Sequence, residues 1–221
     1  MTKPRNEVDP EIDFRDAWKE VRDQGSRSTC LACATSDAHA LLQNCLPLSA
    51  EYLFYHAIQL ATYGNLVDGI LFEEAAAALQ QNGQPAEHEW PYNKVQPDPW
   101  TPPNVTDVWY GSLNHSNNNV SSSISALLRK RQPVVLGIKI SAALLKPTPL
   151  NFVISATGAG FGGHAVLAVG LGRDGSGNNF FLIRNSWGNA WADGGCAWLA
   201  EGYLSDKFIG FGSITPNPKR R

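Results

Sequence analysis

Five prolines between residues 91 and 106 (Pro91, Pro97, Pro99, Pro102 and Pro103) forbid regular structure there and separate two parts of the chain with different hydrophobic periods. Before them, apolar residues recur at helical spacing. Leu31, Ala34, Ala38, Leu41, Leu42 and Cys45 predict a helix over 30–45, with Ser28 and Thr29 as candidate caps. Further helices are predicted over 50–61 and 72–81, the second stopped by Asn82-Gly83. After the prolines a short helix is expected over 121–130. Uninterrupted apolar runs then cover 134–140, 165–171, 180–184 and 197–199, separated by turns such as Asp174-Gly175-Ser176-Gly177, and these read as buried strands. Helices first and strands second predict an α+β protein, a single domain with a helical lobe over about 12–110 and a β lobe over about 111–206.

Composition narrows the function classes. With 43% apolar and 17% charged residues the chain is not of the disordered class. A net charge of -2, with one basic cluster at Lys219-Arg220-Arg221 that reads as a solvated terminus, argues against a nucleic-acid or membrane partner. No run approaches the roughly 18 apolar residues that span a bilayer. Residues 1–11 are polar, with two prolines and no apolar core, which is not the pattern of a secretory signal. Four cysteines in 221 residues do not make a disulfide scaffold. Sequons at Asn104, Asn114 and Asn119 are therefore read as chance, and the expected setting is reduced and cytoplasmic, with delivery by a non-classical secretion route still open.

Cysteine chemistry at a carbonyl needs a thiolate, a nearby imidazole and donors for the oxyanion. Cys30 starts the first predicted helix, where unpaired N–H groups and the macrodipole favour negative charge. Gln24 lies six residues earlier, and Gly25 permits the turn that returns its amide to the helix start. His164 opens a predicted strand in Gly162-Gly163-His164-Ala165-Val166. Asn185 follows another, in Arg184-Asn185-Ser186-Trp187-Gly188. Its amide oxygen can hold the second imidazole nitrogen, and Trp187 can shield that bond from water. Singly, a helical cysteine is usually a small hydrophobe and a histidine beside glycines usually structural. In combination they are specific: His164 stands 134 positions after Cys30, and Asn185 155.

These segments resemble the papain family of cysteine peptidases. Gln24-Gly25-Ser26-Arg27-Ser28-Thr29-Cys30 is similar to its Q-G-x-C-G-S-C, Gly163-His164-Ala165-Val166 to its histidine strand, and Asn185-Ser186-Trp187-Gly188-Asn189-Ala190-Trp191-Ala192-Asp193-Gly194-Gly195 to its N-S-W-G-x-x-W-G-x-x-G. The likeness runs from about Ile12 to Leu204. Leu48–Tyr55 and Glu89-Trp90-Pro91-Tyr92 look closer to the bacterial and bleomycin-hydrolase-like branch. The resemblance implies two lobes, the nucleophile helix packed against a β-barrel-like lobe, with a cleft between them. It implies Cys30 as nucleophile, His164 as base, Asn185 as its orienter, Gln24 as oxyanion donor, and a protein or peptide as substrate. Gly69, Ile70, Ala165 and Trp187 become the candidate substrate-binding residues. No metal or organic cofactor is implied.

The chain also departs from the pattern. Leu31 and Cys33 replace aromatic residues after the nucleophile, and Arg27 replaces a cysteine that is disulfide-bonded in secreted members. Ile70 stands for the second glycine of N-G-G and is expected to reshape the unprimed cleft; Ala192 and Cys196 replace a glycine and a tyrosine. No inhibitory prodomain is expected before Gln24, which suits control by substrate access, an inhibitor or an immunity protein. Two rivals share the fold: an amidase, deamidase or transpeptidase using the same triad, and a catalytically inactive binding module. Cys30 and Cys33 also spell C-x-x-C, a redox pair or half a zinc site. The βαβ context and a second ligand pair are both missing, so Cys33, like Cys45 and Cys196, reads as core.

Overall fold

The computed structural model describes residues 8–18, 20–118, 121–149, 151–155 and 158–217. The basic tail 219–221, the first seven residues and Asn119-Val120 of the third sequon lie outside the described residues. In chain order the elements are β1 (Asp9–Asp13), α1 (Cys30–Gln43), α2 (Ala50–Leu60), α3 (Phe72–Gln81), β2 (Gly111–Ser116), α4 (Ser121–Arg129) and β3 (Val134–Ile140). There follow α5 (Ala142–Leu145), β4 (Val153–Ile154), β5 (Phe161–Arg173), β6 (Asn179–Arg184), β7 (Cys196–Ala200), α6 (Glu201–Lys207) and β8 (Phe208–Pro216). The described residues form two compact units, one from 23–115 with 212–217 and one from 8–22 with 116–211.

In the first unit α1 is buried continuously from Leu31 to Ala40, and its small residues Ala32, Ala34 and Ala38 let α2 and α3 pack against it. Leu48, Leu53, Phe54, Ala75 and Leu79 complete the core, each apolar side chain of leucine or phenylalanine size contributing about 1.5–3 kcal/mol on burial. The helix ends two residues before Cys45, because Asn44 turns left-handed (φ 49°) and its N–H returns to Ala40 and Leu41. Of the polar residues of α1, Ser36 and His39 are satisfied internally, whereas the buried Thr35 hydroxyl has no partner among the described residues. His39 Nδ1 meets Gln84 Oε1 at 2.9 Å, and Gln84 Nε2 donates to Ser36 Oγ and the Ser49 carbonyl. Ser49 caps α2 by accepting from the Tyr52 N–H, and β2 pairs with the end of β8.

In the second unit the strands lie in the order β8, β3, β5, β6, β7, β4, with β1 antiparallel to the far end of β5. α4 covers β3 and β5, and α6 covers β3, β6 and β7. The central strands are therefore buried on both faces, and their sequences run apolar without alternation. β5 is longer than its apolar run predicts. Residues 161–163 extend it by pairing with Ile140 and Lys139, so His164 is its fourth residue rather than its first. The register slips there: Gly163 faces Lys139 and Phe161 faces Ile140, leaving Gly162 (φ +54°) as the extra residue of a bulge two positions before His164.

The α+β class and the helices-then-strands order hold. The helical lobe expected over about 12–110 starts instead at residue 23, since β1 ties the preceding residues to β5, and residues 212–217 return to it. Among the described residues no helix is long and apolar enough to cross a membrane.

Candidate active site

Cys30 is the first residue of α1 and half-buried. Its cap position is Thr29, but the Thr29 hydroxyl makes no capping bond. It meets the Tyr92 hydroxyl at 2.6 Å instead. Tyr92 spends its single hydrogen on the Gln24 carbonyl (2.9 Å), so Thr29 is the donor of that pair. Burial pushes the Tyr92 hydroxyl up to about 12, which keeps it a donor at neutral pH. Gln24 is buried, and its Nε2 donates to the Arg27 carbonyl at 2.7 Å. Gly25 makes the intervening turn (φ +62°); a Cβ there would stand 2.9 Å from the Lys94 backbone oxygen. A turn is thus present at Gln24-Gly25, and the Gln24 amide meets the Arg27 carbonyl, three residues before Cys30.

Two candidate substrate residues flank this segment. Gly69 (φ +90°) lies so close to it that a Cβ would come within 2.6 Å of the Ser28 carbonyl oxygen. Ser28 Oγ donates to the Val67 carbonyl at 2.5 Å, so the 65–70 loop and the residues before Cys30 are fastened together. Ile70 is buried (8% exposed), with most of its side chain inside the unit. The loop is anchored by Glu74, whose carboxylate accepts from the backbone N–H groups of Leu71, Gly64 and Tyr63. Burial acts to raise the Glu74 carboxyl, but these donors outweigh it and hold it below the ordinary glutamate value.

The second unit holds the other candidates. His164 Nε2 lies 2.7 Å from Asn185 Oδ1. The Ser186 N–H donates to the same oxygen at 2.8 Å, which fixes the orientation of the amide. Oδ1 only accepts, so His164 Nε2 carries the hydrogen of this bond, and in the neutral ring Nδ1 is the acceptor nitrogen. Trp187 stacks on the imidazole, with centroids 4.6 Å apart at 29°. Trp191 meets Trp187 edge-on at 5.8 Å and is fixed by its indole N–H to the Leu144 carbonyl. Asn185 is buried, and its Nδ2 has no partner among the described residues. Ala165 follows His164 in β5, opposite Gly137, and is buried.

All four cysteines are free thiols. Cys33 and Cys196 are core, whereas Cys45 is half-buried beyond the end of α1. Burial pushes the thiols of Cys45 and Cys196 up to about 11, which keeps both protonated at neutral pH. Leu31, in place of an aromatic residue, is likewise simply packed.

Sequence reasoning missed the Glu51 and Tyr92 contacts and misjudged Arg27. Read only as a lost cysteine, Arg27 is buried and paired with the fully buried Glu51 through both guanidinium NH2 groups, at 2.6 and 2.9 Å. The available signal was a glutamate inside the otherwise apolar and aromatic stretch 50–55.

Residues 8–208 match the family model described as papain family cysteine protease. Cysteine proteinase 3 of Entamoeba histolytica is 24% identical over 211 residues, covering 94% of this chain and 67% of that one. The chain spans about two thirds or less of the length of the curated relatives it matches. Among solved structures, xylellain, a cysteine protease from Xylella fastidiosa, superposes with a TM-score of 0.76 at 23% identity, over 96% of this chain and 87% of that one. Bromelain from Ananas comosus, solved with the inhibitor E64, gives 0.69 at 22%, over 93% and 97%. The shared fold is papain-like, and with the family model matched over most of its length the chain belongs to the papain family of cysteine proteases.

Proposed function

We propose that the chain hydrolyses peptide bonds with Cys30 as nucleophile, His164 as acid and base, and Asn185 as the group that orients His164. The reading rests most on the His164–Asn185 bond: at 2.7 Å, under Trp187, it holds the imidazole in one orientation and one tautomer, with Nδ1 as its acceptor nitrogen. Membership of the papain family of cysteine proteases supports thiol chemistry for the chain. His164 Nδ1 takes the Cys30 proton, the thiolate adds to the carbonyl carbon, and the oxyanion takes hydrogen bonds from Gln24 Nε2 and the Cys30 N–H. The C–N bond then breaks, His164 giving its proton to the leaving amine, and a thioester remains on Cys30. Water, deprotonated by His164, attacks the thioester; the carboxylic acid leaves and the thiol is restored. Gly69, Ile70, Ala165 and Trp187 are proposed to border the substrate, Gly69 through its backbone.

The test is cleavage of a mixed peptide library by the wild type and by Cys30→Ala, reading new N-termini and released ammonia separately. New N-termini with the wild type alone support the peptidase. Ammonia without new N-termini assigns the chain to amidase chemistry, and no product of either kind, with Cys30 unlabelled by an epoxide such as E64, assigns it to an inactive binding module. An inhibitor or immunity protein as partner would register in the same assay as loss of cleavage on its addition.

A further inference from the structure

The Gln24 amide sits at the centre of a clamp whose other members take no part in the steps above. Its NH2 carries two coplanar hydrogens, so giving one to a fixed acceptor sets the direction of the other. That acceptor is the Arg27 carbonyl, and the Arg27 guanidinium is held at both of its NH2 groups. Glu51 takes both NH2 groups; Nη1 also donates to the Asn93 carbonyl (2.6 Å) and Nη2 to Gln96 Oε1 (2.9 Å). The guanidinium lies 5.2–5.8 Å from the ring centres of Tyr92, Phe54 and Trp100, and the Trp100 indole donates to Glu51 Oε1 at 2.7 Å. The Gln24 main chain is held separately, through the Tyr92 hydroxyl.

Stability alone is a poor reason for this arrangement. Desolvating a buried ion pair costs about as much as the pairing returns, and an apolar pair of similar volume is often neutral or better. Arg27 Nε is buried with no partner among the described residues, a further cost. What an apolar pair would not supply is direction. The planar fork fixes Arg27 in orientation as well as place, and its carbonyl with it. We propose that Arg27, locked by Glu51, is a positioning residue that aims the Gln24 amide at the oxyanion of the peptide reaction, an inference that rests on the thiol-peptidase reading above.

A double-mutant cycle tests it with the full chain. Arg27→Met with Glu51→Leu removes the fork without stranding a charge; Gln24→Ala removes the donor; a third protein carries all three changes. Kinetics on a peptide anilide are read beside iodoacetamide alkylation of Cys30, which forms no oxyanion, and beside thermal melting. Loss of an oxyanion donor lowers kcat by about 100- to 1,000-fold, and a donor merely misaimed by about 1 Å costs up to about 100-fold. The Arg27/Glu51 variant is therefore expected to lose kcat by roughly 10- to 100-fold, with KM and the alkylation rate little changed, and to add almost nothing to the loss from Gln24→Ala. Multiplicative losses, or alkylation falling in step with hydrolysis, overturn the positioning role and leave the peptidase reading standing. A wild type that cleaves no peptide overturns that reading itself. If the double change does not fold, Arg27→Lys takes its place, keeping the charge and losing the fork. If that also fails to fold, the pair is a folding element and the proposal is withdrawn.

Discussion

Gly69→Ala tests the fastening between the 65–70 loop and the segment leading to Cys30. Two costs arise. An L-residue at φ +90° pays about 1–2 kcal/mol for the left-handed backbone. The new Cβ would also stand 2.6 Å from the Ser28 carbonyl oxygen, a main-chain atom with little freedom, since Ser28 Oγ is bonded to the Val67 carbonyl. Gly69 cannot retreat easily either, being paired in both directions with Asn65 at 2.9 Å. Overpacking of that kind costs about 1–3 kcal/mol more. Gly177→Ala is the matched control: its φ is +84°, but nothing lies within 4 Å of its Cβ, so it pays only the first cost. Both variants gain equally from the reduced freedom of the unfolded chain, which cancels in the comparison. At about 2–4 °C per kcal/mol for a chain of this size, Gly69→Ala should melt roughly 2–12 °C below Gly177→Ala. Differential scanning calorimetry of both proteins decides it. Equal melting temperatures would refute the claim that Gly69 is required by its approach to Ser28.

Asn185→Ala leaves the buried donors of His164 and Ser186 without their acceptor, at about 1–3 kcal/mol each, and frees the imidazole to turn. We expect kcat to fall by about 10- to 100-fold with KM little changed, and an unchanged kcat would contradict the orienting role. Glu74→Gln removes a carboxylate whose native pKa lies below its unfolded value. Its contribution is present above about pH 4.3 and is lost as pH falls through the lower native value, so the variant should be less stable at pH 7 and show a flatter decline in acid. Parallel acid-unfolding curves for the two proteins would count against it. Ala192 occupies left-handed backbone (φ 49°) where the family carries glycine. Ala192→Gly relieves about 1–2 kcal/mol of strain and returns about 0.4–1 through unfolded-state freedom, so calorimetry should show a small rise in melting temperature rather than a fall.

By itself the sequence determined what local patterning can determine. The first turn of α1 and both ends of α3 follow from helical spacing and from Asn82-Gly83, and the central strands from apolar runs long enough to be buried on both faces. Cys30, His164, Asn185 and Gln24 could be picked out because their order and spacing are properties of the chain. Tertiary structure alone decided the elements whose residues carry no hydrophobic signal. β1 is Asp-Pro-Glu-Ile-Asp and exists because β5 offers it a free edge; β2, Gly-Ser-Leu-Asn-His-Ser, likewise depends on β8. Tertiary structure also decided what Thr29 and Arg27 do. A cap and a lost cysteine are the local readings, but side-chain partners are chosen by proximity in space. Tyr92, 63 residues beyond Thr29, takes its hydroxyl, and Glu51, 24 beyond Arg27, takes the guanidinium, so the segment leading to Cys30 is held by long-range bonds that no local pattern encodes.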